Sequence, residues 1–231
     1  MSARVSPTDQ PLIDALAPQF PTIEDAVSEL ATLRAKLTLP KGVIHVISDV
    51  HGEYAKLRHV INNASGSLRP LVDRLFGGKL SPREMQEFLA VLYYPHELIR
   101  KLQPSLTEAS ARRDWVLRTL AMQFDVARVL ARSYRRRDVR NLMPPQFQEL
   151  FAELLAETPT GGAGRGTAYT QEIIAGLGAH GRDFEAVKAA SRLVRNLSVK
   201  EIIVAGYLGD RGPRIDRVID YLLRQPSVDL V

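Results

Sequence analysis

Asp49 and His51 stand two places apart in the run Val43–Glu53 (VIHVISDVHGE), after a β-branched stretch and before a glycine. A carboxylate and an imidazole suit a divalent cation that takes mixed oxygen and nitrogen ligands. Alternation along an extended chain puts residues i and i+2 on one side, so the two side chains are expected to face one point. In open α/β sheets, ligands bind beyond the carboxyl ends of strands. The alternative reading is a strand-end aspartate capping the next helix, with the histidine on the surface. A second turn, Leu208–Pro213 (LGDRGP), follows another apolar run and carries Asp210 and Arg211.

The elements that must position these residues are legible as patterns. Val43–Ile47, between Gly42 and Gly52, reads as a buried strand in the interior of a sheet. Glu201–Gly206 reads as a second buried strand, and Val228–Val231 begins a third β-like run. Between these two, Pro213 opens a helix with Ile215, Val218, Ile219 and Leu222 at helical spacing, and Pro226 ends it. Strand, helix, strand in this order suggests parallel pairing.

The rest is helical in pattern. Residues 1–20, with three prolines, read as a loose lead-in. Thr22 starts a helix with Asp25 three places on, a weak variant of the capping box, and Val27, Leu30, Leu33 and Leu37 follow. Pro40 ends it. After Gly52 a helix presents Leu57, Val60 and Ile61 on one face. Ser81, Pro82 and Glu84 form a capping box with proline at the first helical position, ahead of Met85, Phe88, Leu89 and Leu92. Pro95 and Pro104 break the next stretches. The longest helical pattern runs from Thr107 to about Asn141, with Val116, Leu117, Leu120, Phe124, Ala127 and Leu130 inward, and Pro144 and Pro145 stop it. Phe147, Leu150, Phe151, Leu154 and Leu155 make a further amphipathic helix. The glycine-rich Thr160–Thr167 (TGGAGRGT) has no strand before it and lacks the Gly-Lys-Ser/Thr ending of a phosphate-cradling loop, so it reads as a flexible connection. Two more helices follow, through Ile173, Ile174 and Leu177, then through Phe184, Val187, Leu193, Val194 and Leu197.

Composition bounds what the chain can be. Its 231 residues, 45% hydrophobic and 25% charged, suit one large or two small globular domains. The absence of cysteine excludes disulfides, thiolate metal sites and a cysteine nucleophile. No apolar run approaches the roughly 20 residues that span a bilayer, and the first residues lack the pattern of a secretory signal. A soluble, cytoplasmic protein with no membrane partner is expected. The net charge of +5 brings nucleic acid into consideration. The basic residues are scattered, however, apart from Arg132, Arg135, Arg136, Arg137 and Arg140 at the end of the longest helical pattern, where cations complement the helix dipole. That cluster reads as a solvated helix end, and nucleic acid is not the expected partner. A small anionic substrate fits a mild positive balance.

Asp49-Val50-His51-Gly52 and Asp210-Arg211-Gly212, each after a β run, are together similar to the motifs of the calcineurin-like metallophosphoesterases. Their long, helix-filled separation resembles the class 3 fructose-1,6-bisphosphatases, as do Ile47–Glu53, Leu92–Pro95 (LYYP) and Asp138-Val139-Arg140 before Pro144. The resemblance covers most of residues 20–231. It implies two divalent ions, commonly manganese, at the carboxyl ends of the central strands, one of them bound by Asp49 and His51. It also implies a bridging carboxylate within Gly-Asp-x-x-Asp-Arg-Gly. Here that motif runs from Gly206 to Gly212, and Tyr207 stands where the bridging aspartate belongs. A phenol, with an ordinary pKa near 10, is a poor bridge at neutral pH. Asp210 falls on a supporting position. Arg211 falls on the arginine that meets the substrate phosphate, a task suited to a planar fork of donors; an ordinary turn ion pair is its alternative. The family continues with an asparagine–histidine motif about where this sequence ends, so an amino-terminal part of a longer enzyme is expected. His45, His59, His96 and His180 lack the spacing to replace those residues, and structural roles are expected for the first three.

The expected fold is α/β, a partial metallophosphoesterase-like sheet with a large helical insertion between the first and second metal motifs. Its parts would be a helical lead-in over 1–42, a core over 43–66 and 198–231, and the insertion over 67–197. The implied activity is fructose-1,6-bisphosphatase: hydrolysis of the 1-phosphate of fructose 1,6-bisphosphate with divalent ions in gluconeogenesis, negligible in this chain alone. The alternatives are another metallophosphoesterase acting on phosphoproteins or dinucleotides, and a non-catalytic helical interaction module derived from such an enzyme, which Tyr207 favours. A homo-oligomer is compatible with either. A partial sheet would also leave an apolar edge and face open.

Overall fold

The computed structural model describes residues 8–157 and 165–230, which separate into two compact units at Pro40. In the first unit, α1 (Gln10–Leu16) runs into a short 3₁₀ turn and α2 spans Ile23–Leu37. Residues 10–19 are thus helical where a loose lead-in was expected; Pro11 falls in the first turn of α1, where its missing N–H breaks no helical bond. The Thr22 capping box is complete. Thr22 Oγ1 accepts from the Asp25 amide at 3.1 Å, and the Asp25 carboxylate accepts from the Thr22 amide at 3.2 Å. The apolar side of α2, Val27, Leu30, Leu33 and Leu37, is exposed.

The second unit holds a three-stranded parallel sheet in the order β1 (Ile44–Ser48), β2 (Glu201–Ala205), β3 (Val228–Leu230). Ile44 pairs with Glu201 and Ser48 with Ala205, while Ile202 pairs with Val228. The parallel pairing expected from strand-helix-strand order is present. The central strand buries Ile202 and Val204. The first strand differs from its reading. It lies at the edge of the sheet, not in the interior, and Ile44 and Val46 are 52% and 69% exposed while His45 is buried. With a neighbour on one side only, its outward face has nothing to pack against among the described residues.

Helices form the bulk of this unit. After β1 come α3 (Tyr54–Asn62), α4 (Leu68–Phe76), α5 (Pro82–Tyr93) and α6 (Pro95–Leu102). Next are α7 (Ala109–Ala131), α8 (Arg136–Leu142), α9 (Gln148–Ala156), α10 (Arg165–Ala179) and α11 (Asp183–Ser198). Finally α12 (Ile215–Leu223) joins β2 to β3. The Ser81 capping box opens α5 as expected: Ser81 Oγ accepts from the Glu84 amide at 3.3 Å, and Glu84 accepts from the Ser81 amide at 2.9 Å.

The core sits where α7 and α11 lie side by side. Val116, Leu120 and Phe124 of α7 and Val187, Leu193 and Val194 of α11 are buried, and Phe124 meets Phe151 of α9 edge to face at 5.2 Å. Polar groups clamp this contact. Buried Gln123 donates to the Val187 carbonyl at 3.1 Å and to Ser191 Oγ at 2.7 Å. Buried Asp183 receives both nitrogens of one edge of the Arg112 guanidinium, Nε at 2.6 Å.

Three helical readings are corrected. The pattern over Thr107–Asn141 is two helices, not one. At its break the amides of Ser133 and Tyr134 bond to Leu130 and Ala131 three residues back, at 3.2 and 3.0 Å, and Arg135 is extended. The partly buried Tyr134 ring packs against the core at this tightened turn. Val60 and Ile219, expected inward, are 37% and 43% exposed, because their neighbours Leu57, Ile61, Val218 and Leu222 fill the buried stripe. Of the glycine-rich stretch, Arg165–Thr167 lie within α10 and not in a connection; residues 160–164 lie outside the described residues. No described helix is long and apolar enough to cross a membrane.

Candidate functional site

Parallel pairing puts the carboxyl ends of β1 and β2 at the same edge of the sheet, and the two motif turns leave from there. The pairing continues past the strands. The Asp49 amide donates to the Ala205 carbonyl at 3.3 Å, the His51 amide to Tyr207 at 3.1 Å and the Gly52 amide to Leu208 at 2.7 Å. The turns are therefore stitched together by backbone before any side chain acts.

The mode of presentation differs from simple alternation. The strand ends at Ser48, and Asp49 and His51 both take left-handed backbone conformations, with φ of +51° and +50°. Such conformations cost a non-glycine residue roughly 1–3 kcal/mol each and persist where surroundings over-determine them. Two glycines make the close approach possible. A β-carbon on Gly206, whose φ is +84°, would stand 2.7 Å from Asp49 Oδ1, and one on Gly212 would stand 1.7 Å from the His51 carbonyl oxygen.

The side chains converge as follows. His51 Nδ1 hydrogen-bonds Asp210 Oδ1, which leaves Nε2 as the free ring nitrogen. In the neutral imidazole, a carboxylate partner places the proton on Nδ1 and leaves a lone pair on Nε2. Asp49 Oδ1 accepts from the Tyr207 amide at 3.3 Å. The Tyr207 ring lies parallel to the His51 ring, centroids 6.2 Å apart, and is 66% exposed. Arg211 is 80% exposed, with Nε 3.5 Å from Asp210 Oδ2. Asp49, His51 and Arg211 border an open cleft of about 410 Å³, together with Glu53, Lys56 and Leu57. Glu53 and Lys56 were not singled out from sequence; the one available signal was that Glu53 directly follows Gly52.

A pair of divalent ions would need more donors than these residues present. Asp49 spends one oxygen on a backbone amide, and His51 spends Nδ1 on Asp210. Tyr207 offers a phenol where a bridging carboxylate would be needed. No group of three or more His, Asp or Glu side chains among the described residues is placed to hold a metal ion. These residues do not fit a two-ion site.

The remaining histidines stay out of the cleft. His45 is buried in β1, where burial lowers its pKa against a weaker opposite pull from the Ala64 backbone. His59 pairs with the Tyr94 hydroxyl at 2.5 Å and stacks on its ring, and burial lowers the pKa of His96. The arginine cluster is partly spent on ion pairs: Arg135 with Asp138 at 2.9 Å, and Arg140 with Glu149.

The profile of the family described as Firmicute fructose-1,6-bisphosphatase matches residues 12–231. Among curated proteins, one named fructose-1,6-bisphosphatase class 3 from Clostridium acetobutylicum is 37% identical over 93% of this chain and 32% of its own length. Proteins of the same name from Porphyromonas gingivalis W83 and Listeria innocua are each 33% identical over 96% of this chain and 33% of theirs. The chain thus spans about a third of the length of the curated relatives it matches. No solved structure matches it.

Proposed function

The chain belongs to the Firmicute fructose-1,6-bisphosphatase family, and from that premise we propose that the protein is a phosphoric monoester hydrolase that removes the 1-phosphate of fructose 1,6-bisphosphate in gluconeogenesis. One observation carries the reading. The Asp49–His51 turn and the Asp210–Arg211 turn, far apart in sequence, are joined by the His51–Asp210 hydrogen bond beyond the carboxyl ends of paired strands. A metallophosphoesterase-like core over residues 43–66 and 198–231, with 67–197 as its helical insertion and 1–42 as a lead-in, accounts for that meeting.

The residues divide the work by chemistry. Arg211 presents an exposed guanidinium, whose paired N–H groups match a phosphate. Asp210 fixes the tautomer and direction of His51. Asp49 and His51 Nε2 are the two donors left for a single divalent cation, manganese first, and Tyr207 supplies no bridging carboxylate for a second. Two donors and a phenol hold such a cation weakly, so turnover by this chain alone is negligible. The sugar bisphosphate is the expected partner and the cytoplasm the expected compartment.

The test compares phosphate release from fructose 1,6-bisphosphate, a phosphopeptide and a dinucleotide. The chain is assayed alone, and also grafted with Tyr207→Asp in place of the matching third of the Clostridium acetobutylicum relative. The expected outcome is near-background release from the chain alone and a preference of the graft for fructose 1,6-bisphosphate. A graft that prefers the phosphopeptide or the dinucleotide overturns the substrate; turnover by the unaltered chain equal to the relative's overturns the role given to Tyr207.

A further inference from the structure

A second cavity, of about 600 Å³, opens at the other end of the sheet, beside Val199, Ile202 and Ser227 at the amino ends of β2 and β3. Four arginines line it: Arg58 from α3, Arg192 and Arg195 from α11, and Arg224 at the end of α12. Two of them are neutralised where they stand. Arg58 pairs with Glu97 at 2.5 Å and Arg224 with Asp220 at 2.8 Å. Arg192 and Arg195 have no carboxylate partner among the described residues. Arg195 donates Nη1 to the Leu92 carbonyl at 2.6 Å, and its other N–H groups meet no acceptor among the described residues.

The electrostatics of this arrangement are unfavourable as it stands. Burial foremost, with the positive charges of Arg192 and Arg58 adding to it, pulls the Arg195 pKa down to about 10 against the opposing influence of Tyr221 and Glu97. A partly desolvated cation among other cations needs an anion to offset the lost hydration. The neutral polar groups nearby do not supply one. Asn62 gives its amide to the Tyr93 carbonyl at 2.8 Å and takes the Tyr221 hydroxyl at 2.7 Å, which leaves Arg192, the N–H groups of Arg195 other than Nη1, and the His96 ring to face the cavity. The volume is that of a small-molecule site. Planar guanidinium forks suit tetrahedral oxyanions better than point charges do, and two guanidiniums without an ion-pair partner among the described residues match a dianion.

We propose that this cavity binds a small phosphate-bearing anion, gripped by Arg192 and Arg195. The site stands apart from the Asp49–Asp210 cleft yet shares elements with it. α3 starts just after the first motif turn and α12 just after the second, and the Tyr221–Asn62 bond ties the two helices where they border the cavity.

The experiment is calorimetric titration of the full chain with inorganic phosphate, and with acetate as a monoanion control. Substitutions Arg192→Met, Arg195→Met and Arg211→Met assign the binding. Phosphate is expected to bind at least tenfold more tightly than acetate. Arg192→Met and Arg195→Met are each expected to weaken phosphate at this site at least tenfold, and to do so equally in an Arg211→Met background, where the motif cleft has lost its own phosphate contact. Arg192 is exposed and makes no described ion pair, so its variant folds and carries the test should Arg195→Met unfold. No phosphate binding by the unaltered chain, binding lost only in Arg211→Met, or equal affinity for acetate would each overturn the proposal.

Discussion

Gly212 is packed so tightly against His51 that a β-carbon on it would stand 1.7 Å from the His51 carbonyl oxygen. The same contact brings Gly52 within reach of the Gly212 backbone, where a β-carbon would sit 2.7 Å away. The two motif turns are thus nested backbone to backbone, with no side chain between them. Gly212→Ala must push them apart. It is expected to destabilise the chain by about 2 kcal/mol or more, because overpacking against a fixed carbonyl has no flexible neighbour to yield. Urea denaturation measures this; an unchanged midpoint would mean the turns are free to separate.

Tyr207→Asp places a carboxylate on the residue whose backbone amide already bonds Asp49. Manganese affinity is expected to rise at least tenfold at neutral pH, and Asp49→Asn in the same background is expected to cancel the gain. Calorimetric titration reads both. Equal affinity before and after Tyr207→Asp would place the cation elsewhere.

The Arg112–Asp183 pair tests the helical core. Asp183 is buried and also accepts from the Phe184 amide at 3.0 Å, while Arg112 stacks over the Phe184 ring at 4.2 Å and is partly exposed. Asp183→Ala strands a guanidinium, at an expected cost of about 2 kcal/mol, below the range for fully buried pairs because water reaches Arg112. Adding Arg112→Met should recover most of the loss. Thermal melts of the single and double variants check this, and a double variant no better than the single one would count against it.

His45 sets an acid limit. Burial lowers its pKa from the ordinary 6.5, and His96 moves the same way. In the unfolded chain the imidazole takes up its proton first as pH falls through about 6.5, so acid favours unfolding. The stability contribution is present above that pH and lost progressively below it. Denaturation midpoints at pH 7.5 and 5.5 should therefore differ, and His45→Val should narrow the gap. A gap unchanged by His45→Val would assign the effect to other groups.

Where a residue's own chemistry fixes the backbone, the sequence was sufficient. Thr22 and Ser81 cap their helices because a hydroxyl three places before a carboxylate satisfies two orphan amides at once. Three apolar runs found as strands pair in parallel because a helix separates β2 from β3. What escaped was tertiary in origin. Nothing in Leu130–Arg136 breaks a helix locally; the break falls where the partly buried Tyr134 ring packs against the core. The edge position of β1 depends on which partner lies beside it, which its own residues do not encode. Asp49 and His51 were singled out for their chemistry, but their left-handed backbones depend on Gly206 and Gly212, more than a hundred residues away.

The pairing of β1 with β2 has a kinetic consequence. All the helices from α3 to α11 lie on the loop that Ile44–Glu201 pairing must close, and closing a long flexible loop is entropically costly until something shortens it. Local helices, and the α7–α11 contact, form on a faster clock than non-local strands. The helical body should therefore condense first and bring the strand ends together, making the His51–Asp210 junction among the last parts of the molecule to assemble during refolding.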